Sequence, residues 1–209
     1  SVNPETHGAL YWVAPPRAGK TQSMRSTLYL ICRSVYDVRF FVCALPAKIQ
    51  KDWGIFAGVN GCLGMVSDFA EMETALGWAV TQMNTGAYAG KTIIILDDLT
   101  SLMTQAPAIS SHIDNLALTG PGLGYHLMCG THGAGSIATT GGKMAQFAMT
   151  CRILFKAADN LTGARSSGRK NAETGLGQLS GAPGDAILDE NGRITRVATA
   201  WVHDSDILT

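Results

Sequence analysis

Charge is scarce in this chain. Only 15% of its 209 residues are Asp, Glu, Lys or Arg, and 16 basic side chains are matched by 16 acidic ones. A chain without net charge does not coat nucleic acid through its whole surface, so any such contact has to come from a local basic groove. Cysteine is present but not organised: Cys32, Cys43, Cys62, Cys129 and Cys151 form no C-x-x-C pair and leave an odd count. That speaks against a disulfide frame or a zinc site and for reduced thiols in a cytoplasmic protein. Long apolar runs are missing too. The longest, 28–45, is broken by Arg33, Asp37 and Arg39, so no segment reads as a membrane span, and no signal peptide is visible. The start at Ser1, three residues before Pro4, suggests an excised piece. No internal repeat or boundary divides the chain, and 46% apolar residues suffice to fill the core of a single domain over 1–209.

What is present begins with Ala14-Pro15-Pro16-Arg17-Ala18-Gly19-Lys20-Thr21. An apolar run, 9–13, precedes it and a helix-like segment, 22–33, follows. Strand, tight loop and helix are the context that a phosphate-binding P-loop requires. Backbone N–H groups of such a loop cradle phosphate oxygens, and the helix start adds its positive dipole end. Pro15 and Pro16 have no N–H, so the donors have to come from Arg17, Ala18, Gly19, Lys20 and Thr21. The expected nucleotide contacts run from Pro16 through Arg17, Ala18, Gly19, Lys20 and Thr21 to Gln22. Lys20 would reach the β- and γ-phosphates as a point charge, and the Thr21 hydroxyl would be a ligand of Mg²⁺. The alternative is a Pro-rich turn ahead of an ordinary helix. Ala14 stands where the usual pattern has Gly.

Strands are expected at 8–14, 38–44, 92–98, 125–131 and 150–156, and two more at 184–188 and 194–202. The last two are joined by Asp189-Glu190-Asn191-Gly192, a hairpin signal. Helices are expected at 20–34, 67–83 and 109–118. The second has Asp68 followed by Glu71, as in a capping box, and a stripe of Phe69, Met72, Leu76, Val80 and Met83 that reads as core packing. Residues 48–64 look irregular, a loop with a short helix, and 133–143 look mobile. Alternation of strand and helix indicates an α/β domain with a mainly parallel sheet and a C-terminal hairpin.

Four apolar residues followed by Asp97-Asp98 have the form of a Walker B strand. The first carboxylate, Asp97, would hold the Mg²⁺ shell; the second, Asp98, would orient or deprotonate the attacking water. The plain alternative is a strand that ends in an Asp-rich turn. His132, at the end of a buried strand, could donate to a phosphate oxygen or position water as a neutral imidazole, or merely close the strand. Arg152, Lys156, Arg165, Arg169 and Lys170 form a basic series, ordinarily a solvated face.

In order and spacing these motifs resemble the FtsK/HerA superfamily of ring-forming ATPases, and among them the motor domain of FtsK/SpoIIIE-type translocases. The matching pieces are the 10–21 strand and loop, Leu45-Pro46-Ala47-Lys48 where an Asp-Pro-Lys motif ends a strand, the helix 66–80, Leu96-Asp97-Asp98-Leu99 where Asp-Glu is usual, Gly124 to His132 where a strand ends in Thr-Gln, and the closing segments 150–153 and 179–186. The resemblance implies a RecA-like three-layer sandwich and an ATP hydrolase that moves double-stranded DNA. It implies a ring, most simply a homo-hexamer, with ATP between subunits. Loops at 50–61 and 133–143 would grip the DNA backbone. Arg165, or second Arg152, would act as a finger on the neighbour's γ-phosphate. Asp98 for Glu, His132 for Gln and Ala14 for Gly are departures that point to slow hydrolysis. Two other functions fit the same loop: a monomeric P-loop phosphotransferase, with 158–170 as lid, and a nucleotide-binding assembly module without turnover.

Overall fold

The computed structural model describes residues 9–35, 37–132, 151–156, 175–182 and 184–207. Its centre is an eight-stranded sheet: β1 (Leu10–Val13), β2 (Val38–Ala44), β3 (Cys62–Val66), β4 (Lys91–Asp97), β5 (Tyr125–Thr131), β6 (Cys151–Phe155), β7 (Asp185–Glu190) and β8 (Arg193–Ala198). The spatial order is β3-β2-β4-β5-β1-β6-β7-β8. From β3 to β6 every neighbour is parallel; β7 and β8 close the edge as an antiparallel hairpin. The parallel part needs cover on both faces, which explains why β4 and β5 are apolar without alternation.

Alternate residues divide between two cores. Tyr11, Val13, Ile94, Leu96, Leu127 and Cys129 face α3 (Phe69–Thr85), α4 (Leu99–Gln105) and α5 (Ile109–Thr119). Leu10, Trp12, Ile93, Ile95 and Met128 face α1 (Lys20–Ser34) and a helical stretch over 46–58. The result is the expected α/β three-layer sandwich, with all parallel strand ends, and therefore the loops that could carry a site, on one edge. Asp68 caps α3 as expected, accepting from the N–H of Ala70 and Glu71 at 2.9 and 3.1 Å. Asn191 and Gly192 form the hairpin turn with φ of 51° and 93°, the left-handed pair that a two-residue turn demands.

Three expectations need correction. Residues 48–64, expected as an irregular loop with a short helix, are mostly helical and then strand: α2 (Pro46–Lys48) runs into a π turn, Ile49–Trp53, and a 3-10 turn, Gly54–Gly58, and β3 starts at Cys62. Trp53 and Phe56 are fully buried, Phe56 packing between Phe40 and Trp53, so this candidate DNA-gripping segment is anchored at two points. The strand expected at 194–202 stops at Ala198. The chain then leaves the sheet to lie against α1: Val202 donates its N–H to Ser26 Oγ (3.2 Å) and accepts from Gln22 Nε2 (2.8 Å). A short α6 (Asp204–Ile207) follows, tied by an Asp204–Arg25 ion pair. Finally β4 ends at Asp97, and Asp98 belongs to the turn that caps α4, a helix the sequence did not announce. All five cysteines are free thiols, and no described helix is long and apolar enough to cross a membrane. The second candidate loop, 133–143, lies outside the described residues, as does Arg165.

Candidate functional site

The loop after β1 is built by its backbone. Arg17 and Gly19 adopt left-handed φ of 67° and 93°, and Ala18 donates its N–H to Pro15 O at 3.4 Å. Gly19 caps α1 without a side-chain hydrogen bond to its first turn. The first N–H groups of a helix have no partner inside it, which at α1 concerns those of Lys20, Thr21 and Gln22, next to the loop. Trp12 Nε1 donates to Ser23 Oγ at 2.9 Å and fixes β1 against α1 below it.

Sheet order brings this loop to the end of β4. Lys20 Nζ reaches Asp97 Oδ1 at 3.0 Å, and the Thr21 hydroxyl donates to Asp97 Oδ2 at 3.0 Å. The three residues expected to hold a triphosphate and its metal thus meet, although Asp97 stands 77 positions from Lys20. Gly130, at the end of β5, makes room: a Cβ there would lie 2.7 Å from Met24 Sδ and 3.1 Å from Lys20 Nζ.

Two residues that the sequence reading did not assign to the nucleotide site complete the cluster: Lys48, quoted only within the Leu45–Lys48 motif, and Trp53, placed in the 50–61 loop. Lys48 Nζ lies 2.8 Å from Asp97 Oδ1, and Trp53 Nε1 donates to Asp97 Oδ2 at 3.1 Å. The carboxylate is therefore fully buried and accepts four hydrogen bonds. Burial alone would raise its pKa. The Lys20 and Lys48 ammonium groups, with the Lys48 and Trp53 hydrogen bonds, override that and hold it at about 2. Lys20 is pushed below the usual lysine value, because burial and the like charge of Lys48 outweigh the pull of Asp97. Two cations share one carboxylate, and the buried one is undercompensated. A further anion at Lys20 would relieve that deficit. The signal in the sequence was Lys48 two residues after Pro46, at the end of a buried parallel strand whose Ala44 pairs with Asp97.

Asp98 sits next door under different conditions. Its φ of 75° and ψ of 53° are left-handed, its N–H donates to Gly130 O at 3.0 Å, and its side chain is 11% exposed. His132 Nε2 approaches Asp98 Oδ2 at 3.7 Å, beyond hydrogen-bond distance. Burial and the nearby Lys20 and Lys48 charges lower the His132 pKa against the pull of Asp98, which favours the neutral imidazole. Thr131 and Thr100 hydroxyls, 2.6 Å apart, brace the same turn. Asp98 and His132 thus face each other within reach of the Lys20 charge.

The other candidates fall elsewhere. Pro16 and Arg17 are exposed on the loop, and Ala18 is half-buried. Gln22 uses its side chain to hold Val202, which leaves only its backbone for a ligand. Arg152 lies opposite Tyr11 and Asp189 in the sheet, two positions short of the strand end at Leu154 and Val13, and joins no contact described for the Lys20–Asp97 cluster. No group of three or more His, Cys, Asp or Glu that could hold a metal exists among the described residues. Mg²⁺ does not need one: it keeps most of its waters and takes one or two protein oxygens, which the facing Thr21 hydroxyl and Asp97 carboxylate fit.

No family model and no curated protein matches this sequence. Solved structures do, at low identity. The monomer form of the pCW3 conjugation coupling protein TcpA with ATPγS superposes with a TM-score of 0.78 at 10% identity, over 98% of this chain and 63% of that one. The cytoplasmic domain of the Thermomonospora curvata type VII secretion ATPase EccC gives 0.74 at 15%, over 96% of this chain and 27% of that one. The genome packaging NTPase B204 of Sulfolobus turreted icosahedral virus 2 with ATPγS gives 0.64 at 14%, over 94% and 98%. The chain thus spans under two thirds of the first two neighbours and nearly all of the third. These neighbours are named as a coupling protein with bound ATPγS, an ATPase and an NTPase, and the chain shares their α/β fold.

Proposed function

We propose that this chain is an ATP hydrolase that drives double-stranded DNA through a ring of its own copies, a homo-hexamer in the simplest form. The observation that carries the nucleotide site is the meeting of Lys20, Thr21 and Asp97 at one strand edge, with Asp98 and His132 beside them. In this reading the N–H groups from Arg17 to Gln22 bind the phosphates, and Lys20 leaves Asp97 to neutralise the β- and γ-phosphates. Mg²⁺, held by Thr21 and Asp97, would supply charge neutralisation at the phosphate oxygens. Asp98 accepts a proton from the attacking water, and neutral His132 orients it or bonds to a phosphate oxygen. The low pKa of Asp97 suits it to stay ionised throughout. Arg165, or second Arg152, would reach the γ-phosphate of a neighbouring copy. DNA would be held through 50–61 and 133–143 by backbone and hydroxyl contacts, which are indifferent to sequence and weaken with salt.

The fold is shared by neighbours named for conjugation, for packaging and for secretion, so the cargo is what the experiment must decide. ATP turnover is measured with and without linear duplex DNA, for the wild type and for Lys20→Ala. The expected result is DNA-stimulated hydrolysis that Lys20→Ala abolishes. Turnover in Lys20→Ala equal to wild type overturns the site; turnover indifferent to DNA overturns the cargo. A second reading, tight ATP binding without turnover, rests on Asp98, whose side chain is one methylene shorter than Glu and starts from a backbone turned out of the strand. Binding of ATP with no hydrolysis even on DNA would select it.

A further inference from the structure

The polar groups described so far gather at one end of the phosphate site. Asp97, Asp98 and His132 surround Lys20 on the β4–β5 side, where the γ-phosphate would lie. The nucleoside end of a bound nucleotide must point the other way, past the α-phosphate and along the first turns of α1. Beside the first turns of α1 stands a cavity of about 440 Å³ lined by Gln22, Arg25, Trp201, Val202, His203, Asp204 and Ser205. Gln22 directly follows Thr21, so the cavity opens about one helical turn, ~5 Å, from the loop.

Trp201 is the anomaly of this cavity. It is 63% exposed, the most exposed large apolar side chain described, while the neighbouring Val202 is buried. Its exposure is not slack. Val202 is fastened to α1 through both its N–H and its carbonyl, by Ser26 Oγ and Gln22 Nε2. Arg25 in turn donates to Gln22 Oε1 at 3.0 Å and pairs with Asp204. Four polar side chains, Gln22, Arg25, Ser26 and Asp204, hold the backbone that directly follows the indole in place. With Val202 turned into the core, Trp201 and His203 project outward together, their rings 6.3 Å apart edge to face.

We propose that Trp201 is the stacking platform for the nucleobase, and that the Gln22–Val202 clamp positions it there. The ligand class is a nucleoside triphosphate whose base lies on the indole; the inference rests on the nucleotide-site reading above and adds the residue that senses the base. Stacking uses the face that every base has, and the side chains at the rim are engaged with one another, so the platform favours large purine rings by area.

The test separates base from phosphate. Calorimetric binding of ATPγS and of inorganic tripolyphosphate, both with Mg²⁺, is compared for the wild type, Trp201→Ala, Trp201→Phe and Lys20→Ala. Trp201→Ala is expected to weaken ATPγS about 10-fold or more and leave tripolyphosphate unchanged, and Trp201→Phe to recover most of the loss. Lys20→Ala is expected to lose both ligands. Unchanged ATPγS affinity in Trp201→Ala, with Lys20→Ala still defective, overturns the platform and leaves the phosphate site standing. Equal loss of ATPγS and tripolyphosphate in Trp201→Ala also overturns it, since that marks damage to α1. If Lys20→Ala binds ATPγS like the wild type, the phosphate site itself is wrong and the platform falls with it.

Discussion

The end of β4 and the turn that follows it hold adjacent aspartates in opposite circumstances. Asp97 is sealed from solvent and receives donors from Lys20, Thr21, Lys48 and Trp53. Asp98 keeps a sliver of exposure, has left-handed backbone, and caps its helix without a side-chain hydrogen bond. The first is a hub that ties α1, the 46–58 stretch and β4 together. The second is held by its backbone, and among the described residues its carboxylate has only the His132 imidazole nearby, at 3.7 Å. Neighbours in sequence therefore differ in what they can do: the first assembles the cluster, and the second is the carboxylate that the proposed hydrolysis would use as base.

The comparison breaks first at Asp97. Truncation to Ala strands a buried ammonium, Lys20, and removes the tether of Lys48 and Trp53. Deleting one partner of a buried ion pair costs about 3–5 kcal/mol, and urea unfolding of Asp97→Ala is expected to fall in that range. A loss below ~1 kcal/mol would mean that the cluster is not the hub described.

Acid sharpens the same point. A carboxylate whose folded pKa lies below its unfolded one stabilises the fold fully above the unfolded value and loses that contribution as pH falls through the folded one. For Asp97 the window runs from its ordinary 3.8 down to about 2. Wild-type stability is expected to drop across this window more steeply than that of Asp97→Ala. Asp185, held well below the usual range by the Arg196 and Ser180 hydrogen bonds, titrates in both proteins and cancels in the difference.

Much of this arrangement was readable beforehand, and the unread part has a common cause. The apolar strands 38–44 and 125–131, the capped helix at Asp68 and the Asn191-Gly192 turn carry their signals locally, in periodicity, capping and φ preference. So did Lys20, Thr21 and Asp97, as members of two short motifs. Lys48 carried a signal only in its place after Pro46 at the end of a buried strand, and Trp53 carried none; what brings both to Asp97 is the parallel pairing of β2 with β4, a relation between segments 53 positions apart at Ala44 and Asp97. The 46–58 stretch misled because Gly54 and Gly58 weaken a helical reading while burial of Trp53 and Phe56 supplies what propensity lacks. The strand expected up to Val202 misled for the same reason: Gln22 and Ser26 hold that residue out of the sheet. Those tertiary contacts outweigh a local β preference.

The smallest structural effect, and the one that tests the contrast between the two aspartates directly, belongs to Asp98→Asn. Asn tolerates left-handed backbone about as well as Asp, no described hydrogen bond to the Asp98 carboxylate is lost, and the volume is unchanged. Unfolding free energy is expected to stay within ~0.5 kcal/mol of wild type, as for substitutions that touch no packed or paired group. Turnover should fall about 100-fold or more if the carboxylate accepts the water's proton, the usual range for losing a general base. Measured side by side, urea midpoints and ATPase rates of Asp97→Ala and Asp98→Asn should show opposite profiles, one unstable, the other stable but slow. Should Asp98→Asn instead unfold as readily as Asp97→Ala, the second carboxylate is a structural cap and the chemistry has to be sought at His132.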